Sequence, residues 1–118
     1  MENIIKIKNA VFYAYHGVMS EEQVVGGKFE CDVDIYTSFA DAAKNDDLTK
    51  TVDYSEVYKF IQELVHERKF YLIETLAIHI ADKLKHHFED IHKVTVRVRK
   101  HNVPIGGVLD YVEAEVTK

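Results

Sequence analysis

The order of its periodicities constrains this chain most: two stretches of alternation, two of helical spacing, then two of alternation again. The clearest strand holds Phe29, Cys31, Val33, Ile35 and Phe39 on one face, with Glu30, Asp32 and Asp34 on the other. Before it, Ile5, Ile7 and Val11 alternate loosely with Lys6, Lys8 and Ala10, which predicts a first strand across residues 3–13. Glycines at His16-Gly17 and Gly26-Gly27 serve the connection.

Residues 40–52 are polar and acidic and read as a loop with one helical turn. Asp53-Tyr54-Ser55-Glu56 has the form of a helix start, a capping aspartate followed three residues later by a glutamate. The helix it opens carries Val57, Phe60, Ile61, Leu64 and Val65 as an apolar stripe. A second helix is predicted from Ile73 to Phe88, burying Ile73, Leu76, Ala77, Ile80, Leu84 and Phe88. Alternation then returns, with Val94, Val96 and Val98 set against Thr95, Arg97 and Arg99. After a turn at Pro104-Ile105-Gly106-Gly107, Val108, Val112, Ala114 and Val116 alternate with Leu109, Tyr111, Glu113 and Glu115.

This ββααββ order predicts an α+β fold, a four-stranded antiparallel sheet with both helices on one face. The opposite face is expected to be polar, lined by Glu30, Asp32, Asp34, Arg97 and Arg99. A chain of 118 residues has room for one domain, 1–118, and buries roughly two-thirds of its unfolded surface. Such a sheet leaves two edges with unpaired backbone groups, and pairing between copies would cover them and could close a ring.

Composition narrows the function classes. The formal net charge is −5, and the densest basic cluster, Arg97, Arg99, Lys100 and His101, is not interleaved with stacking aromatics. That argues against a nucleic-acid partner, whose binding rests on neutralising phosphates. No apolar run approaches the ~20 residues that span a bilayer, and the first residues lack the apolar stretch of a secretion signal. The expectation is a soluble, cytoplasmic protein with no membrane partner. Cys31 has no second cysteine to pair with. Its place in the apolar register favours a packed thiol over a nucleophile.

Several residues could carry chemistry, each with a plainer reading beside it. Lys100 shares strand parity with Val94, Val96 and Val98, so its amine stands at the end of the apolar face. There it is either a partly desolvated proton-transfer group or a side chain that reaches back to water. Glu74 is either a first-turn carboxylate favoured by the helix dipole or an anchor accepting two adjacent N–H donors. Tyr54 is a candidate proton-transfer hydroxyl or a packing tyrosine with a wet tip. Glu22, beside Glu21, is a solvated loop acid or a site acid, and His16 a turn histidine or a catalyst. The seven histidines include neither of the two pair spacings typical of zinc ligands, so no metal is expected. No glycine-rich phosphate loop is present, so no nucleotide cofactor is expected either.

Four segments in register carry a resemblance that spans nearly the whole chain. Phe12-Tyr13-Ala14-Tyr15-His16-Gly17-Val18, followed by Glu22, Gly27 and Phe29, resembles the N-terminal signature of the dihydroneopterin aldolase family. Asp46-Asp47-Leu48 with Thr51-Val52-Asp53-Tyr54 is similar to its central segment. Leu72-Ile73-Glu74-Thr75-Leu76-Ala77 is similar to its second-helix entrance, and Val96-Arg97-Val98-Arg99-Lys100 to its lysine-bearing strand. Two positions depart from the family pattern: Lys28 stands where glutamine is usual, and His101 where proline is usual.

The resemblance implies the tunnelling fold, in which ββααββ subunits join their sheets into a ring barrel. It implies four-subunit rings, generally stacked in pairs as octamers, with active sites between neighbouring subunits. It also implies a reaction: 7,8-dihydroneopterin split to 6-hydroxymethyl-7,8-dihydropterin and glycolaldehyde in folate biosynthesis, often with epimerisation at the 2′ carbon. No cofactor is implied, because the dihydropterin's own C=N bond can accept the electrons. By family match Glu74 holds the pterin, with backbone of Val52, Asp53, Leu72 and Ile73 lining the pocket. Lys100 moves the hydroxyl proton, Glu22 orients Lys100 and the substrate hydroxyls, and a neighbour's Tyr54 serves the product side. The alternatives are a sister pterin epimerase with little cleavage and a non-catalytic pterin-binding ring protein.

Overall fold

In the computed structural model, which describes residues 2–101 and 103–118, alternation does become one antiparallel sheet. Its strands lie in chain order: β1 (Asn3–Ala14), β2 (Gly27–Thr37), β3 (Lys93–Lys100) and β4 (Val112–Thr117). The helices are α1 (Ser20–Val24), α2 (Ala40–Asn45), α3 (Tyr54–His66) and α4 (Ile73–His87), with a 3₁₀ turn at Leu48–Lys50. The two long helices form a single layer on the sheet, α4 across β3 and β4 and α3 against β1. The α+β, ββααββ expectation therefore holds, with short helices added to the connections. Among the described residues no helix is long and apolar enough to cross a membrane.

Both long helices are set by the features that mark them in the sequence. Asp53 caps α3, its carboxylate accepting a hydrogen bond from Ser55 N at 2.9 Å. Val57 and Ile61 from α3 and Leu76, Ile80 and Leu84 from α4 meet Val33, Ile35, Val94, Val96 and Val98 in one fully buried core. Each such side chain contributes about 1.5–3 kcal/mol on leaving water. The second helix ends at His87, and Phe88 is its cap rather than its last residue. Phe39 likewise lies beyond β2, at the cap of α2, because the strand ends at Thr37.

The first strand departs from its predicted pattern at one residue. Ile7 pairs with Val33 but Ala10 pairs with Cys31, so β1 carries one extra residue opposite Asp32. Asn9 takes φ of 60°, a left-handed conformation that asparagine tolerates, and its N–H donates to Asp32 Oδ1 at 2.7 Å. The bulge inverts the alternation. Ala10, Phe12 and Ala14 face the core, while Val11 is exposed, the reverse of the reading that set Val11 against Ala10. At the other edge β4 begins only at Val112, and Val108, expected on its apolar face, is fully exposed.

The second face of the sheet is polar as expected, but it is a paired lattice rather than a solvated surface. Arg99 makes a two-pronged contact with Asp32, at 2.8 and 2.9 Å, and also donates to Glu113 and Asn9. Arg97 bridges Asp34 at 3.0 Å and Glu115 at 2.6 Å. The guanidinium of Arg99 holds the Asp32 carboxyl well below the usual carboxylate range, and Asp32 in turn raises Arg99. Pairing on this scale lets Glu30, Asp32, Asp34 and Arg99 be buried at all.

The subunit is long, with extents of 53 × 27 × 20 Å and a radius of gyration of 15.6 Å. A compact domain of this length has about 13.5 Å. The excess comes from the β1–β2 hairpin, whose 12-residue first strand reaches about 40 Å.

Candidate active site

Lys100 is the last residue of β3, paired with Phe29 on one side and Val112 on the other. Parity with Val98 directs its side chain to the helix-side rim of the sheet. There Nζ lies 2.6 Å from Glu22 Oε2, and the two side chains are only 17% and 20% exposed. Of the two readings of Lys100, the structure supports the partly desolvated one. Residues 78 apart in sequence thus form one short, charge-assisted contact.

Glu22 reaches this position because α1 aims it. Its other carboxylate oxygen accepts from Met19 N at 3.2 Å, closing a capping interaction at the helix start. Gly17 makes room for the carboxylate: a Cβ there would sit 2.4–2.7 Å from the Glu22 carboxyl atoms, and φ of 143° favours glycine in any case. The turn is held in turn by His16, only 2% exposed. Its Nδ1 accepts from Phe70 N at 2.9 Å, so Nε2 carries the proton and donates to Val65 O at 2.9 Å. Burial lowers its pKa and keeps the ring neutral. His16 is therefore a tie between the end of β1 and the α3–α4 connection, not an acid–base group.

A cavity of about 210 Å³ runs from Lys100 and Glu22 to Leu72, Ile73 and Glu74 at the start of α4. Ile73 is buried there, while Leu72 and Glu74 are exposed. Glu74 and the Lys100–Glu22 pair thus line the same partly apolar recess. A larger cavity, about 360 Å³, is also lined by the same pair, together with Lys28, Phe29 and His101. His101 hydrogen-bonds Glu30, a buried residue, and that contact chiefly lowers the Glu30 pKa. The sequence marked Lys28 and His101 as departures from a family pattern and Gly17 as a connector within a family signature, and gave none of them a place in the site. The adjacency of a glycine to the buried histidine was the one available hint of a tight approach.

Three expected site residues lie elsewhere on the subunit. Tyr54 is 62% exposed and lines a groove with Ile7, Tyr58 and Gln62. Val52, which is buried, and Asp53 line another with Thr51, Glu56 and Phe88. Among the described residues, neither groove shares one with the two cavities at Lys100. Among the described residues no three His, Cys, Asp or Glu side chains converge to hold a metal ion. Cys31 is buried and its pKa is pushed up to about 12 by that burial, so it is a packed thiol.

The family model described as dihydroneopterin aldolase matches residues 5–117 of this chain. The chain belongs to the dihydroneopterin aldolase family. A dihydroneopterin aldolase of Staphylococcus epidermidis is 36% identical over 118 residues, covering 100% of this chain and 98% of the relative. One from Bacillus subtilis is 33% identical over 114 residues, covering 97% and 95%. The crystal structure of E. coli dihydroneopterin aldolase in complex with neopterin superposes with a TM-score of 0.89 at 22% identity, covering 98% of each chain. The sheet-and-helix arrangement described above is thus the family's subunit fold. The family accounts for the shape of the subunit; its chemistry rests on where these side chains stand.

Proposed function

We propose that this enzyme splits 7,8-dihydroneopterin into 6-hydroxymethyl-7,8-dihydropterin and glycolaldehyde without a metal or a Schiff base. The observation that carries the reading is the 2.6 Å contact between Lys100 and Glu22 in a recess that Glu74 also lines. Glu74 accepts the paired N–H donors of the pterin's amino-pyrimidinone edge, and Leu72 and Ile73 line the ring's flat face. This fixes the substrate side chain beside Lys100 and Glu22, which supplies the orientation on which most of the rate depends.

The chemistry then needs only proton transfer. The side-chain 2′-hydroxyl loses its proton toward the Lys100–Glu22 pair, through a water where reach requires it. As the 2′ C=O forms, the C1′–C2′ bond breaks and its electron pair enters the ring C=N bond. Glycolaldehyde leaves, and protonation at C1′ restores the C=N bond and gives the hydroxymethyl product. The substrate's side chain offers no aldehyde or ketone with which an amine could condense, so Lys100 acts by proton transfer and charge. Reversal of the cleavage with the aldehyde turned over yields the 2′ epimer from the same intermediate.

The site is completed by a neighbouring copy, which brings Tyr54 as the product-side proton donor and the backbone of Val52 and Asp53. Their separation from Lys100 within one subunit supports this, as do the two open sheet edges and the elongated subunit. Ring closure by edge pairing gives a tetramer, and two stacked rings an octamer. The reading places the enzyme in the cytoplasm, in folate biosynthesis. The test is incubation with 7,8-dihydroneopterin in the presence of a chelator, following glycolaldehyde and epimer separately. Glycolaldehyde release at an undiminished rate supports the proposal. Epimer alone supports a sister epimerase, and binding without turnover supports a non-catalytic pterin-binding protein.

A further inference from the structure

The ion pair of Lys100 and Glu22 is shared by two cavities: both residues line the one that Glu74 also lines and the larger one of about 360 Å³. Among the described residues no other is common to the two. The larger chamber lies between the start of β2 and the end of β3, and its character differs. The recess at Glu74 carries Leu72, Ile73 and Ile105, apolar surface suited to a flat heterocycle. The larger chamber carries Lys28 and His101, groups that hydrogen-bond. His16 also lines it, but Val65 and Phe70 occupy both of its ring nitrogens, so it contributes only surface. Glu30, almost fully buried, engages Nε2 of His101 and holds that ring at the chamber wall.

From this geometry we infer that the larger chamber is the subsite for the substrate's hydroxylated side chain and for the two-carbon aldehyde it becomes, with Lys28 and His101 setting specificity for that chain. The inference rests on the proposed reaction and deepens it. A bond that breaks at a proton-transfer pair common to both cavities has a separate cavity for each fragment. The heterocycle stays with Glu74, and the hydroxyaldehyde has the polar chamber. Water occupies about 30 Å³ in the liquid, so the chamber holds a short polyol together with solvent. The two positions at which this chain departs from its family's pattern line this one chamber, so the departures act on side-chain recognition rather than on the pterin.

Two non-reacting ligands separate the chambers: neopterin, with the full three-carbon side chain, and 6-hydroxymethylpterin, with one carbon. Equilibrium binding of both is measured on the wild type, on Lys28→Ala/His101→Ala, and on His101→Gln. The double variant is expected to bind neopterin at least tenfold more weakly and 6-hydroxymethylpterin within twofold of wild type, with His101→Gln intermediate. The unchanged second affinity also shows that the variant is folded. Equal weakening of both ligands, or of neither, overturns the subsite. Glu74→Ala, by contrast, weakens both. A wild type that binds neither pterin overturns the proposed function itself, a result distinct from an intact pterin site indifferent to Lys28 and His101.

Discussion

Gly17→Ala is a one-methyl change whose consequences can be worked from the structure. The new Cβ would stand 2.4 Å from the nearest Glu22 carboxyl atom, where ordinary contact begins at 3.4 Å. Glu22 must therefore retreat by about 1 Å, or the turn must open. Neither is free, because the backbone at φ 143° is one that alanine rarely adopts, at a cost of about 1–3 kcal/mol. The carboxylate is held from two sides, by Lys100 Nζ at 2.6 Å and Met19 N at 3.2 Å, so a 1 Å shift breaks at least one contact. Misplacement on that scale costs about 100-fold in rate when the group orients the reacting atoms. The assay is glycolaldehyde release under single turnover, with thermal unfolding and 6-hydroxymethylpterin binding measured in parallel. The expected result is a folded protein, destabilised by a few kcal/mol at most, with near-normal pterin affinity and turnover reduced about 100-fold. A folded Gly17→Ala with turnover within a few-fold of wild type would refute the idea that Glu22 must sit against Lys100.

Three further outcomes follow from the same geometry. Lys100→Ala is expected to lose at least ~100-fold in turnover while keeping pterin affinity, checked by steady-state kinetics and equilibrium binding. Glu74→Ala is expected to raise the dissociation constant for any pterin at least ~10-fold, because a buried pair of ligand N–H donors loses its acceptor. Thermal stability is expected to fall in two stages on acidification. His16 is held neutral below its ordinary 6.5, so the unfolded chain takes up the proton first and stability drops as pH falls below that value. The carboxyl of Asp32 is depressed from 3.8, so its stabilisation is present above that value and is lost as pH falls further toward its folded pKa. His16→Gln should remove the first stage and Asp32→Asn shrink the second, to which Glu30, depressed by His101, also contributes, in melting curves recorded from pH 8 to pH 2.

What the sequence disclosed depended on whether a feature was local. The stripes at Val57–Val65 and Ile73–Leu84 and the Asp53 cap need only neighbours three or four residues away, and they hold in the structure. The parity that placed Lys100 on the core side is equally local and also holds. Helix α1 escaped notice because it has no buried residue and therefore no stripe. The bulge escaped because Asn9 is unremarkable until Asp32, 23 residues away, accepts its N–H. Burial of Glu30, Asp32 and Asp34 was likewise hidden, since it depends on Arg97, Arg99 and His101 arriving from a strand more than sixty residues later. The contact of Glu22 with Lys100 came from resemblance, not from spacing, and so did the separation of Tyr54 from both.

That separation supplies the most direct test of a site shared between copies. Lys100→Ala and Tyr54→Phe, each nearly inactive alone, are mixed under conditions that let subunits exchange, and glycolaldehyde release is measured with mixed rings verified by native mass spectrometry. If one copy supplies Lys100 and its neighbour Tyr54, random assembly restores both groups to roughly a quarter of the sites, with activity to match. Mixed rings no more active than either variant alone would contradict the account.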